Sequence, residues 1–322
     1  MPDRYHPPAD HITGHGAHRY RVVHDWHRGP QLPVKDCHEM VQAPDGRLFM
    51  LTNHTANNVV VYSTAGEVVD TWGHEHPGAH GLTLSTHGGE PSLWITDEVT
   101  GAVDEFTLAG EKLRALPYPA VSGYYGDISE YKPTETTVAP DGSIYVADGY
   151  GKNYVHRYSA AGDYEASFGG SGTGPAHLDC AHGVTVDTRT TPATLLVTSR
   201  GEQKLKRFSL EGQLLSTHHF PGLWICRAVI RGDLTYLAVV VTKSWYNYDG
   251  LVAILDKDLK LVSAPGAEGE LNLERATGKA LATSDGLTFM NPHDVCVDAD
   301  NNLYVPQWYS GRSYPVKLER LP

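Results

Sequence analysis

The chain has 322 residues, of which 40% are hydrophobic and 20% charged, and a formal net charge of −12 at pH 7. This composition suits a soluble globular protein with a real core, and an acidic balance without any basic block argues against a nucleic-acid partner. No apolar run reaches the ~18 residues of a membrane span, and four scattered cysteines with no Cys-x-x-Cys pair do not make a disulfide scaffold.

From the N-terminus, "MPDRYHPPADHITGHG" is polar and lacks the apolar core of a secretory leader, so a cytoplasmic location is expected. Residues 1–17 read as a tail, with its histidines as tail composition, and 18–322 as a single domain. Closed all-β architectures often run to this length as one domain. Cys37, Cys180, Cys226 and Cys296 read as free thiols of a reducing compartment. "HRYRVVHDW" (18–26) is a strand without a partner nearby. "APDGRLFMLTNHTANNVVVYSTAGEVVDTWG" (43–73) then superposes without gaps on "APDGSIYVADGYGKNYVHRYSAAGDYEASFG" (139–169). Asp-Gly between alternating apolar residues is a hairpin signal, with both turn positions expected at positive φ. "LWITDEVTGAVDEFTLAGEKL", "LLVTSRGEQKLKRFSLEGQLL" and "LAVVVTKSWYNYDGLVAILDKDLKLV" repeat the theme, and "VCVDADNNLYVPQWYSGRSYPVKLERL" is the last unit.

Six units of roughly 40–55 residues, each with about four short strands, predict an all-β, six-bladed β-propeller. The competitors, a β-sandwich or a parallel β-helix, fit a sixfold four-strand period less well. The last unit stops after its third strand, so the lone N-terminal strand is expected to complete it and close the ring, removing exposed edges.

In a propeller, equivalent starts of the innermost strands form a ring at one end of the channel. Aligning the units puts His38, His80, Thr134, His182, Arg227 and His293 in that ring. His80 of "AHGLTL", His182 of "AHGVTV" and His293 of "NPHDV" fall in alternate blades, so their imidazoles can converge on the axis. Three neutral imidazoles suit Zn²⁺ or Fe²⁺, with positions left for water or substrate. His38, off that threefold set, reads as a supporting or acid–base group. Arg227 is expected to neutralise an anionic substrate. Glu39 and Glu135, each one residue past the ring as Asp294 is, are expected to orient ring residues or join a hard-cation site. Mouth loops should shape a small-molecule pocket: Tyr124, Tyr125 and Tyr131, then Trp245, Tyr246 and Tyr248, then Trp308 and Tyr309.

After about Val34 the chain resembles the NHL-repeat six-bladed propellers, and within them the peptidyl-α-hydroxyglycine α-amidating lyases. The resemblance is carried by "AHGL", "YVADGYGKN", "AHGV…LLVTSRGEQKLKRF" and "NPHDV". It implies a catalytic zinc on His80, His182 and His293, Tyr150 as base, and Arg200 as an active-site cation. It also implies a structural calcium held by Asp294 with the carbonyls of Met40 and Leu82. The chain departs from that pattern at Asn53, where the family carries a second substrate-facing arginine. Asn291 replaces a methionine, and Gly151 replaces a cysteine, so one family disulfide cannot form.

The expected activity is a metal-dependent lyase reaction that cleaves C–N at a carbinolamide-like centre of a small substrate. The catalytic candidates are Tyr150, Arg200 and His38, and the substrate-binding candidates Arg227, Asn53, Tyr125, Trp245 and Trp308. The alternatives are a metal-dependent hydrolase or hydratase on the same scaffold and a non-catalytic NHL interaction scaffold.

Overall fold

The computed structural model describes residues 10–23, 25–242, 245, 248–272, 280–311 and 314–322. Strands β1 (Ile12–His15) and β2 (His18–Val23) come first, then five four-stranded blades and a last unit of three strands. Blade one is β3 (Cys37–Gln42), β4 (Leu48–Thr52), β5 (Val59–Tyr62) and β6 (Val68–Trp72). Blade two is β7 (Ala79–Ser85), β8 (Ser92–Asp97), β9 (Val103–Thr107) and β10 (Lys112–Ala115). Blade three is β11 (Glu135–Val138), β12 (Ile144–Ala147), β13 (Tyr154–Tyr158) and β14 (Tyr164–Gly169). Blade four is β15 (Ala181–Asp187), β16 (Thr194–Ser199), β17 (Lys204–Ser209) and β18 (Leu214–His219). Blade five repeats the form with β19 (Ile225–Arg231), β20 (Leu234–Val239), β21 (Leu251–Leu255) and β22 (Leu261–Ser263). Blade six holds β23 (Cys296–Val297), β24 (Leu303–Val305) and β25 (Val316–Arg320). Among the described residues there is no α-helix, only two short 3₁₀ turns.

The chain is a six-bladed β-propeller. Inner strands β3, β7, β11, β15, β19 and β23 flank one another in a closed ring. Closure is made by β2, which pairs antiparallel with β25 from Tyr20↔Arg320 to Val23↔Lys317. One boundary differs from the sequence reading. Ile12–His15 is not tail: β1 pairs with β2 as an added outer strand and is pinned to blade five by the His15 amide donating to Ser263 Oγ at 2.8 Å.

Side-chain alternation explains why the blades stack. In β4, Phe49 and Leu51 face blade two with Leu82, Leu93 and Ile95. Leu48 and Met50 face the other way, toward Tyr304 and Cys296 of blade six. The second strand of each blade is largely apolar on both faces because a blade is covered on both sides. The Asp-Gly hairpins form, with one correction to the expected dihedrals. Gly46 and Gly142 take φ of 89° and 87°, while Asp45 and Asp141 do not turn positive. The aspartates act through their carboxylates instead, accepting the amides of Arg47 at 3.0 Å and Ser143 at 2.9 Å. The result is a three-residue loop with one left-handed glycine.

Candidate metal and catalytic site

The inner strands carry a shared irregularity that builds the site. Ladder pairing skips between Cys37 and Met40 in blade one, Ala79 and Leu82 in blade two, and Ile225 and Ala228 in blade five. Blade four skips between Ala181 and Gly183. A bulge of this kind bends a strand and re-aims its side chains. The displaced amides find side-chain partners: Gly81 donates to Thr96 Oγ1 at 2.8 Å and Gly183 to Thr198 Oγ1 at 2.7 Å.

His38, His80, His182 and Cys226, inside the skips of blades one, two, four and five, form one cluster with His293 of blade six. Ring centroids are 4.8 Å apart for each pair among His80, His182 and His293. His38 lies 4.9 Å from His80 and 4.7 Å from His293. All four imidazoles are buried. Among the described residues, two sets of potential ligand atoms lie within 4.8 Å of one another: His38, His80 and His293, and His182, Cys226 and His293. Blade five therefore presents Cys226 to the histidines, and not Arg227, the residue that alignment of the repeats places there. The signal is present in the sequence. "ICRA" aligns with "AHGL" when the apolar brackets Ile225 and Ala228 are matched to Ala79 and Leu82.

Orientation and charge suit metal ligation. The Nδ1 of His80 is 2.8 Å from the Thr134 carbonyl, and the Nδ1 of His293 is 3.1 Å from the His38 carbonyl. Nδ1–H donation to those carbonyls fixes the tautomer and leaves Nε2 with a lone pair. Burial holds His80, His182 and His293 well below the usual imidazole range, and neighbouring imidazoles and Arg200 push in the same direction. His38 is drawn down to about 3, chiefly by burial and then by Lys35 and Arg200. Neutral imidazoles are the form a metal needs.

The Tyr150 hydroxyl lies 3.1 Å from Nε2 of both His80 and His182 and accepts from Arg200 Nη2 at 3.0 Å. One phenolic proton cannot serve two lone pairs, and the Nδ1 atoms of His38 and His182 are buried without a partner. A cluster of neutral nitrogen donors, short of hydrogen-bond donors, fits a Zn²⁺- or Fe²⁺-type ion. Tyr150 is 37% exposed at the mouth. Burial of its hydroxyl end pushes it up to about 12 against the pull of Arg200. Arg200 is buried and stacked, its guanidinium 5.4 Å from the Tyr150 ring and 5.3 Å from the Trp245 ring.

Arg227 is elsewhere. The residues next in sequence to the ring positions form a separate layer: Glu39, Gly81, Glu135, Gly183, Arg227 and Asp294. The Arg227 guanidinium donates to both Asp294 oxygens at 2.8 Å each, to the Leu82 carbonyl at 2.9 Å and to the Met40 carbonyl at 3.3 Å. Glu39 is 3.0 Å away and Glu135 3.3 Å. Asp294, Met40 and Leu82, expected around calcium, surround a guanidinium; their oxygens are engaged by its N–H groups and do not fit an added ion. Nor is Arg227 free to meet a substrate, for the same reason.

The remaining residues expected at the site divide cleanly in space. Asn53 adjoins the site, its Nδ2 3.5 Å from His38 Nε2 and its Oδ1 accepting the Asp36 amide at 3.0 Å. Trp245 is at the mouth on Arg200, and half-buried Trp308 packs with Cys226 and Trp224. Tyr125 is not a substrate contact. It is buried, and its hydroxyl joins Asp148 Oδ2 at 2.6 Å and His156 Nε2 at 2.7 Å within blade three. Tyr131 is likewise buried, whereas Tyr124 stacks on Tyr154 at the surface. Tyr246 lies outside the described residues.

No protein-family model matches the sequence. NHL repeat-containing protein 3 of Mus musculus is 27% identical over 173 residues, covering 52% of this chain and 48% of that protein. The chain is a distant relative of the NHL-repeat proteins. The match spans about half the length of that relative. A probable peptidyl-alpha-hydroxyglycine alpha-amidating lyase of Caenorhabditis elegans is 23% identical over 248 residues, covering 74% of this chain and 63% of the relative. Among solved structures, a streptogramin B lyase superposes with a TM-score of 0.60 at 12% identity, covering 94% of this chain and 98% of that one. A catalytically inactive virginiamycin B lyase from Staphylococcus aureus with quinupristin gives 0.57 at 13% identity, covering 99% and 98%. At these identities the structural likeness speaks for the fold.

Proposed function

We propose that the chain is a metal-dependent lyase of the amidating-lyase type, cleaving the C–N bond of a carbinolamide, N–CH(OH)–COO⁻, in a small substrate. The observation that carries this reading is the Tyr150 hydroxyl, within 3.1 Å of Nε2 of both His80 and His182 and bonded to Arg200. A candidate base thus sits against the candidate metal ligands with a fixed cation beside it. The lyase named among the sequence relatives supports the reaction class.

His80, His182 and His293, their ring centroids 4.8 Å apart, would hold the metal, with His38 and Cys226 as the remaining nearby donors. When bound, Zn²⁺ or Fe²⁺ would polarise the substrate hydroxyl and lower its pKa. Tyr150 takes the hydroxyl proton as the carbon–oxygen double bond forms and the C–N bond breaks, then returns that proton to the leaving nitrogen. The products are an amide and glyoxylate, and atoms and charge balance. A phenol pushed up to about 12 needs help to act as phenolate, and Arg200 provides it as a fixed counter-cation. Arg200 Nε, buried without a partner, is available to the substrate carboxylate. Asn53 stands beside His38 as a neutral polar contact. Trp245 covers the Arg200 face and excludes water from it.

The test is a glyoxylate-release assay on zinc- and iron-loaded protein with α-hydroxyglycine derivatives of peptides, acyl groups and ureas. Release of glyoxylate with equimolar amide is expected from at least one class. Its absence across all three would remove the carbinolamide assignment.

A further inference from the structure

We propose that Arg227 is the structural cation of the propeller axis, its guanidinium taking the place of a divalent ion so that this layer is assembled without calcium. The geometry that points to this is a complete set of oxygen acceptors around one side chain. Asp294 of blade six is bound through both oxygens, at 2.8 Å from Nε and Nη2. Blade one contributes the Met40 carbonyl and Glu39, blade two the Leu82 carbonyl, and blade three Glu135. Arg227 itself comes from blade five. Every nitrogen of the fork has a partner, which is the bidentate, planar use for which arginine is suited.

The remaining blade makes room. A Cβ added at Gly183 of blade four would lie 2.6 Å from both Cα and Cβ of Arg227, and one at Gly81 would lie 2.6 Å from the Thr134 carbonyl. Any side chain at these positions would collide with the arginine backbone or the next blade. These six residues thus form a layer fitted around one arginine, with three acids, two glycines and the guanidinium.

A calcium ion would need about 6–8 oxygens at roughly 2.3–2.6 Å. The oxygens are present, but the guanidinium nitrogens stand among them, and a second cation would meet a buried positive charge. The carboxylates are tied into the backbone as well. Asp294 Oδ2 accepts the Met40 amide at 3.0 Å, and Glu39 Oε2 accepts the Leu82 amide at 2.6 Å. Burial pushes the Glu39 carboxyl well above its usual range despite Arg227, with Glu135 and Asp294 adding to the shift. This layer does not depend on the chemistry of the histidines above it.

The experiment combines calcium analysis with melting curves. Wild-type protein, purified with and without EGTA, is expected to carry no stoichiometric calcium, with the same Tm in EGTA and in millimolar CaCl₂. Arg227→Ala leaves a vacant, oxygen-lined, acidic cavity. Its Tm is expected to fall by roughly 5–10 °C, as for a broken buried ion pair, and to recover in part on adding calcium but not potassium. Stoichiometric calcium in the wild type, with a Tm that drops in EGTA, would overturn the proposal. So would an Arg227→Ala variant that melts like the wild type. If Arg227→Ala does not fold, the wild-type calcium measurement still decides. Arg227→Lys, which keeps charge but loses the fork, should then fold with a lowered, calcium-insensitive Tm, and a calcium-dependent Tm in that variant would count against the assignment.

Discussion

Two adjacent layers on the propeller axis are built from neighbouring residues at the starts of the inner strands, and their chemistry is opposite. The upper layer, His38, His80, His182, Cys226 and His293, is neutral and short of partners, with buried Nδ1 atoms of His38 and His182 unbonded. The lower layer, with Arg227 among Glu39, Glu135 and Asp294, is ionic, and the guanidinium is satisfied on every side. A scaffold that must stay closed places its satisfied ion pairs at the centre. A site that must bind leaves donors unpaired beside it. The difference lies in one residue of register.

The largest effect should come from breaking the upper layer's chemistry without touching its packing. Tyr150→Phe removes one oxygen, and turnover is expected to fall about 10²–10⁴-fold with fold and metal content unchanged. Equal turnover would reassign the base, with His38 next in line. The lower layer should answer in stability instead. Asp294→Ala strands the Arg227 charge and is expected to cost about 3–5 kcal/mol in urea unfolding, while His182→Ala costs less. A reversal of that order would contradict the division of roles.

A smaller effect separates the layers by pH. Imidazoles held below their usual range, together with His156 drawn down to about 3 by burial, bind protons more readily in the unfolded chain. Metal-free protein should therefore be fully stabilised by them above about pH 6.5 and lose that stability as the pH falls below it, by up to about 1.4 kcal/mol per pH unit for each group. Glu39, whose carboxyl is raised, has the opposite sign. Its contribution is full below about pH 4.5 and is lost as the pH rises. Urea midpoints that stay flat between pH 7.5 and 5 would show that the histidines are not buried as neutral groups. The smallest change is at the rim. Trp245→Ala removes a cation–π contact with Arg200 worth about 0.5–1 kcal/mol, and kcat/KM is expected to fall about 2–5-fold. No change would place Trp245 outside the pocket.

Much of this is legible in the sequence, and the failures have physical causes. The Asp-Gly hairpins and the missing sixth-blade strand are readable because turns and edge closure are local or countable requirements. Clustering of His80, His182 and His293 follows from equivalent strand positions. Arg227 falls one residue out of place because the ring alignment does not match the apolar brackets of blade five: Ile225 and Ala228, set against Ala79 and Leu82, put Cys226 at the histidine position, and a one-residue shift moves a side chain to another layer. Tyr125 resembles a mouth residue because loop aromatics look alike in sequence. Only the tertiary partners, Asp148 and His156, show that it turns inward. Strand β1 looks like tail because its pairing partners lie in β2, and its anchor, Ser263, is far away in the chain.

The most direct measurement is elemental analysis of purified wild-type protein and of the four single His→Ala variants. The wild type is expected to hold one transition metal, zinc or iron. His80→Ala, His182→Ala and His293→Ala should each lose it, while His38→Ala retains it. Loss in His38→Ala with retention in His182→Ala would move the metal to the His38, His80 and His293 set. Wild-type protein without stoichiometric metal, even after growth with added zinc, iron or cobalt, would contradict a metal site and return the four histidines to a structural role.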